Sequence, residues 1–425
     1  MKSVESMNKQ SASSRKPIDF RAWWIVTLLF LLTTVNFMDR MVLSSVGPVL
    51  QSQLHFSSTQ YSYIVFAFML GMTLGQLPMG ILLDRIGVRV GLPATLAGWS
   101  LANMLQAAAR TVAGFSGLRF VMGLFECGSV SGGLKAVGET LPSEFRALAL
   151  GIFNTGFILG SVIAPPLVVF ITMRFGWHAA FLLPSVAGMF WMIPWLRAYR
   201  KQNTLPLSTP SNEKAPTIRR LLGKPQTWGV ILMRATSGPI AQFYWFWLPI
   251  YLVRGRGTSL GTMAWMASIA YFMGGSGNII GGYVSGWMIQ RGVSVDRSRK
   301  LTFTTGAVLC ALCTFAVPLV TSVTQADFVV GLAFFGQNVM ACALYAIISD
   351  VFPESTLARV TGMTGIGEGI IDMTLVLLTG VIVDRFSFLP VFLSGSALPI
   401  MSIAALFLLV RRCELIRFEP VNSKS

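Results

Sequence analysis

An all-α membrane protein, with twelve transmembrane helices in two pseudo-symmetric six-helix bundles, is the fold that this 425-residue sequence predicts. Three observations lead there. The composition is 53% hydrophobic and 12% charged, where a soluble globular chain carries about a quarter charged residues. Twelve stretches are apolar over the roughly 20 residues that a helix needs to cross the hydrocarbon core. The two halves also match without a gap when the first is shifted by 211, over 43 residues: Glu139 falls on Asp350, Pro142 on Pro353, Ala147 on Ala358, Gly151 on Gly362, Gly156 on Gly367, Arg174 on Arg385, Phe175 on Phe386 and Phe181 on Phe392. Such a fixed register points to duplication, and duplicated halves place a binding site between them near the midplane.

Residues 1–21 are mostly polar and read as a solvated tail, not as a cleaved signal peptide. The first bundle, 22–197, follows. Its first window, 22–50, contains Asp39 and Arg40; the sixteen residues 23–38 are too few to cross, so the helix runs on through both charges. Windows 60–83 and 91–109 are joined by the loop "GILLDRIGVRVG". The fourth, 111–138, carries Arg119, Glu126 and Lys135 among glycines that allow close helix approach. Windows 147–173 and 175–196 complete the bundle. The polar, basic stretch 198–226 suits a cytoplasmic linker. The second bundle, 227–410, takes its spans from 226–253, which holds Arg234, then 257–290, 301–326, 328–349, 357–383, which holds Glu368 and Asp372, and 386–410. Residues 411–425 form a cytoplasmic C-terminal tail.

With the N-terminus inside, inner loops and tails carry 24 of the 33 Lys and Arg, and the outer loops carry five: Arg110, Arg174, Arg254, Arg256 and Arg385. That asymmetry predicts both termini in the cytoplasm. The net charge of +16 therefore belongs to loops facing an anionic leaflet, and a nucleic-acid partner is excluded for want of a folded soluble surface. Cys127, Cys310, Cys313 and Cys342 fall in spans and Cys413 just after the last, while His55 and His178 fall in separate outer loops, so no metal site is expected. A nucleophile, base and metal constellation is missing, which argues against an enzyme. No filter motif points to a channel.

The charges inside the spans carry the functional reading. Each costs on the order of 2.5 to 3.5 kcal/mol at a helix centre, so each faces the protein interior or a water-filled path. Lys135 and Arg234 are near cytoplasmic ends and can snorkel. Arg119 and Glu126, seven residues apart, share one helix face about 10 Å apart along the axis. They form either a structural ion-pair network or a working site. In the working site, Arg40 or Arg119 holds an anionic substrate through its planar fork. Asp39 and Glu126 are the proton carriers, and protonating them frees an Arg for the anion. Gln242, Tyr244, Trp245 and Trp247 in "AQFYWFWLPIYL" offer a surface for a sugar, with an interfacial aromatic belt as the alternative. Asn36 stands one turn before Arg40. Asn278, Gln337 and Asn338 supply either further contacts or interhelical hydrogen bonds.

The loop after the second span, with Gly80, Asp84, Arg85, Gly87 and Arg89, resembles the G-x-x-x-D-R-x-G-x-R pattern of the major facilitator superfamily. The twelve spans, the duplication and the central loop fit that superfamily from end to end, and the resemblance makes this a gating loop. A narrower resemblance rests on "VNFMDR", Arg119 and Glu126, "FNTGFILGSVIAPPL", "WLPIYL", "SRK" and "SDVFP". These look like the anion:cation symporter branch, in particular its hexuronate and aldonate transporters. That resemblance implies proton coupling by Asp39 and Glu126 and carboxylate binding by Arg40 and Arg119. Met72 stands where members with an N-Y-x-D-R first span carry an aromatic residue. Glu368 and Asp372 lie outside the pattern and are either a third titratable site, contacts to substrate hydroxyls, or gate residues.

The expectation is a proton-coupled symporter of an organic carboxylate, most simply a sugar acid such as a hexuronate or aldonate, working by alternating access as a monomer in a bacterial inner membrane. Protons are the coupling ion and no cofactor is expected. Two acids and a monoanion allow two protons per cycle, which moves net positive charge. The competing expectations are an aromatic-acid or tartrate-like substrate, or efflux.

Overall fold

The computed structural model describes residues 20–199 and 216–416. The expected tails 1–21 and 411–425 and the linker 198–226 lie for the most part outside the described residues. Twelve long helical segments and a short helix, Ile218–Leu222, fill most of the rest, and no strand occurs among the described residues. In chain order they are α1 (Phe20–Gln53), α2 (Ser58–Ile86), α3 (Val88–Leu105), α4 (Val112–Glu126 and Gly128–Thr140, meeting at Cys127), α5 (Ser143–Phe175) and α6 (Trp177–Met189 and Met192–Ala198). The second set is α7 (Pro225–Ile250, continued by a π-turn Tyr251–Gly255), α8 (Leu260–Gln290), α9 (Val295–Ala316), α10 (Val323–Val351), α11 (Leu357–Arg385) and α12 (Leu389–Gly395, Ala397–Ala405 and a π-turn Leu406–Val410). His178 lies in the first turn of α6, not in a loop as its place near a span end implied.

Eight segments are long and apolar enough, by length and composition alone, to cross a membrane. The other four are the short α3, the interrupted α4, and α7 and α8, whose Arg234 and run of glycines respectively lower their apolar character. A spanning chain must satisfy its backbone within the segment, and continuous helix does so without outside partners.

Within the first bundle α2 packs on α4 and α1 on α5; in the second, α10 packs on both α8 and α9. The α2–α4 contact requires glycine on both sides. A Cβ at Gly71 would sit 3.1 Å from the Phe120 Cα, and one at Gly123 would sit 2.8 Å from the Met72 backbone nitrogen. Any larger residue would push the two backbones apart.

The bundles meet along three pairs: α2 with α11, α5 with α8, and α1 with α7. Asp384 at the end of α11 accepts from the Ser58 and Thr59 backbone N–H groups at 2.8 and 2.7 Å, so a carboxylate of one bundle caps a helix N-terminus of the other. Arg254 donates to Gln51 Oε1 and Ser58 Oγ, both at 3.1 Å. Deeper in, the Tyr61 hydroxyl donates to the Phe246 carbonyl at 2.9 Å, and Ser268 donates to the Val162 carbonyl at 2.7 Å. Toward the face carrying the chain ends, the bundles part. Positions Gly80 on α2, Gly362 on α11, Gly151 on α5 and Gly286 on α8 have nothing within 4 Å of an added Cβ, and Asn154 and Asn278 on α5 and α8 are exposed. The hydrophobic core follows the same division: one cluster runs through the first bundle and across the seam, while a second, including Met233, Phe303, Ile347 and Leu406, is confined to the second bundle.

Asp384→Ala removes two hydrogen bonds to a helix N-terminus, worth about 1 kcal/mol together at an exposed site. Spin labels on Gln53 and Arg385 are expected to show a several-fold larger population at long separation in this variant; an unchanged distance distribution would mean that the cap does not hold the seam.

Candidate substrate and proton site

Asp39 and Arg40 are neighbours in sequence, but adjacent residues on a helix point about 100° apart. They therefore enter different environments. Asp39 is fully buried and faces α3 and α6, where it accepts from Ser185 Oγ at 3.1 Å, Trp99 Nε1 at 3.2 Å, Asn103 Nδ2 at 3.3 Å and Ser100 Oγ at 3.5 Å. All four partners are neutral donors. Arg40 faces α2 and α4. Its Nε donates to Glu126 Oε1 at 2.7 Å, Nη2 reaches the same oxygen, and Nη2 also lies 3.6 Å from Met72 Sδ. The guanidinium sits 4.4 Å from the Phe37 ring centroid and 5.4 Å from that of Phe68, which offsets part of the desolvation cost. Met72 thus serves as a soft acceptor for the arginine.

Arg119 is fully buried one layer further in. Its Nε donates to Gln106 Oε1 at 2.8 Å and its Nη1 to the Arg40 carbonyl at 3.4 Å, while Nη2 has no partner. Glu126 is the last residue before the interruption of α4 at Cys127, and its Oε2 is likewise without a partner. Asn36 is buried with both amide atoms unpartnered. A free guanidinium N–H, a free carboxylate oxygen and a free amide, all buried on α1 and α4, are costly unless a ligand or ion completes them.

Sequence reasoning missed the connectors. Gln106 Nε2 donates to Asn103 Oδ1 at 3.2 Å, so a continuous chain runs from Asp39 through Asn103 and Gln106 to Arg119. Ser185, bonded to Asn103 at 2.9 Å, closes the cage. The available signal was the polar pair Asn103 and Gln106, one turn apart in the apolar window 91–109.

In the second bundle Arg234 does not snorkel. Its Nε donates to Glu368 Oε2 at 2.6 Å and its Nη1 to Thr364 Oγ1 at 3.1 Å. Lys135, by contrast, reaches the 74% exposed Asp84 at 2.6 Å and the Leu83 carbonyl at 3.3 Å, extending toward the loop of Gly80, Asp84, Arg85, Gly87 and Arg89 and tying it to α4. Gly87 caps α2 at φ 76°, a left-handed conformation that suits glycine. The Arg89 carbonyl accepts from Trp195 Nε1 at 3.2 Å.

Tyr244, Trp247 and Asp372 are brought together with one another, but not with Arg40 and Arg119. They line a cavity of about 320 Å³ among α7, α9, α11 and α12. Tyr244 shares a 2.9 Å hydrogen bond with Thr314, Trp247 Nε1 and Asp372 Oδ1 have no partner among the described residues, and Gln242 lies beside the Asp372 side chain. Trp245 stacks edge-on against Phe37 of α1 at 5.4 Å between centroids. Gln337 donates to the Ser237 carbonyl at 3.5 Å and Asn338 to its own helix, as interhelical and local hydrogen bonds. Among the described residues no group of His, Cys, Asp or Glu is arranged to hold a metal.

A family model described as Major Facilitator Superfamily matches residues 29–343. The hexuronate transporter of Escherichia coli strain K12 is similar at 28% identity over 388 residues, covering 87% of this chain and 89% of that protein. A protein named probable galactarate/D-glucarate transporter, from Bacillus subtilis strain 168, is 30% identical over 396 residues, covering 85% of this chain and 86% of its own. Among solved structures, a bacterial homologue of the human lysosomal transporter Spinster in an inward-facing, unoccupied conformation matches with a TM-score of 0.71 at 18% identity, over 92% of this chain and 95% of that one; this likeness carries the fold.

Gln106→Leu removes the acceptor of Arg119 and leaves a buried charge short of a partner, a loss of about 1–3 kcal/mol. The expected result is a clear drop in thermal stability in detergent; Gln106→Glu, which keeps an acceptor, is expected to lose less.

Proposed function

The chain belongs to the Major Facilitator Superfamily, and from that premise we propose that it carries a sugar-acid anion across the membrane together with protons, by rocking two bundles around the charges of α1 and α4. The observation that carries the reading is the Arg40–Glu126 pair, buried beside an Arg119 that keeps a spare donor. The names of the relatives, which concern hexuronates and aldarates, support the choice of sugar acid.

Glu126 holds Arg40 while ionised. A proton arriving at its open Oε2 removes that charge and releases the Arg40 N–H groups, which with Arg119 Nη2 form a fork for a carboxylate. Proton and anion then enter the same site without leaving an uncompensated charge in low dielectric. Asp39 communicates with the fork through Asn103 and Gln106, so its protonation state alters how Arg119 is held. If the basic loops face the cytoplasm, the sealed face is the outer one and the parted face opens inward. Asp384 and Arg254 are then the outer latch, and substrate leaves between the parted ends. One pH unit across the membrane supplies about 1.4 kcal/mol per proton, roughly tenfold accumulation.

In proteoliposomes, uptake of labelled glucuronate is expected to rise with an inward proton gradient, and Glu126→Gln is expected to exchange substrate without accumulating it. Gradient-driven accumulation by the variant would remove Glu126 from coupling. Substrate affinity is expected to strengthen as pH falls in the wild type, because protonation frees Arg40, and to be nearly flat in Glu126→Gln. Arg119→Lys keeps charge but loses the fork, and a tenfold or larger loss of affinity is expected by ligand-induced thermal shift.

A further inference from the structure

We infer that Arg234 and Glu368 form a second anion and proton pole in the opposite bundle, so that the central site takes an open-chain sugar dicarboxylate with one carboxylate on each bundle. This rests on the sugar-acid reading above and sharpens it.

The second pair repeats the geometry of the first. Arg40 Nε meets Glu126 at 2.7 Å and Arg234 Nε meets Glu368 at 2.6 Å. The two pairs flank one seam at one level. Met72 of α2 touches Arg40, and the next residue, Thr73, lies 3.4 Å from an added Cβ at Gly369 of α11, the residue after Glu368. Room for Glu368 is built in: a Cβ at position 238 would sit 2.7 Å from its Cγ, so the facing residue of α7 is glycine.

The Arg234 and Glu368 side chains keep 17% and 23% of their surface, more than the 11% of Arg40 and 0% of Glu126, so solvent reaches the second pair. The charged and titratable groups around it are Tyr345 of α10, whose ring lies 5.3 Å from the Arg234 guanidinium, and Asp372 of α11, one turn beyond Glu368 with an unpartnered Oδ1. Thr364 fixes the arginine from the other side at 3.1 Å.

With both glutamates protonated, the charges balance only for a dianion. One proton on Glu126 and one on Glu368 release two arginines, and two carboxylates replace the two glutamates. The loaded site then carries the same net charge as the empty one, and transport moves two protons with a dianion, electroneutrally. A monoanion with two protons would carry one positive charge.

The test uses the full-length protein in proteoliposomes, with D-glucarate and D-gluconate as probes, which differ in one terminal carboxylate, and D-glucuronate as the reference sugar acid. Expected are a competition constant for glucarate at least tenfold below that for gluconate, glucarate uptake insensitive to an imposed membrane potential, and a ratio that falls toward one in Arg234→Gln and is partly restored in Arg234→Lys. Glucuronate uptake without glucarate uptake overturns the second pole and leaves the sugar-acid reading standing. Uptake of none of the three overturns both. An equal loss of glucarate and gluconate in Arg234→Gln and Arg234→Lys assigns the pair a structural role and overturns the proposal.

Discussion

A charge in a low-dielectric interior must be paired or solvated, and most of the first bundle is arranged around that requirement. Arg40, Arg119, Glu126 and Asp39 are all buried, and at a few kilocalories per mole each they would not survive scattered on separate surfaces. Gly71 and Gly123 bring α2 and α4 close enough for Arg40 to lie between Met72 and Glu126. The interruption at Cys127 follows directly after Glu126, and the turn at the end of α3 presents Gln106 to Arg119. Helix packing here serves the charges as much as the charges serve the helices.

Such a pair is a weak source of stability, because desolvation consumes most of the attraction. Its value lies in having two states. With Glu126 ionised Arg40 has its partner; with Glu126 neutral that arginine lacks a counter-charge and must recruit one. The fold supplies a matching mechanical choice: the bundles are latched by Asp384 and Arg254 on one face and parted on the other. Under the proposed rocking of the bundles, such a seam is the element that a local change of charge would bias.

The sequence made the architecture plain because the bilayer imposes length and composition on every span, and the duplication fixed the register of the halves. Charges in spans were equally visible, and the structure buries Asp39, Arg119 and Glu126 completely or nearly so. Less visible was what each one faces. Asp39 and Arg40 are adjacent in sequence, and the helical rotation between neighbours sends them to different partners. Spacing allows Arg234 to snorkel because it reveals depth and not direction, and the structure turns it to Glu368 instead. Asn103, Gln106 and Ser185 were passed over because single polar residues in an apolar window have no period. Asp327 was left outside its window, which began at 328, yet α10 starts at Val323 and buries it to 5% exposure.

The two arginine–glutamate pairs have a bearing on the history of the site. The shift of 211 that aligns the halves places Glu126 on Gln337 and Glu368 on Phe157. The first pair joins α1 to α4, and the second joins α7 to α11. Duplication therefore did not copy one pair into the other half. The second pair is a feature of its own half, half-buried where the first is buried. It stands level with the first across the α2–α11 seam, so each bundle sets one arginine–glutamate pair at the same depth.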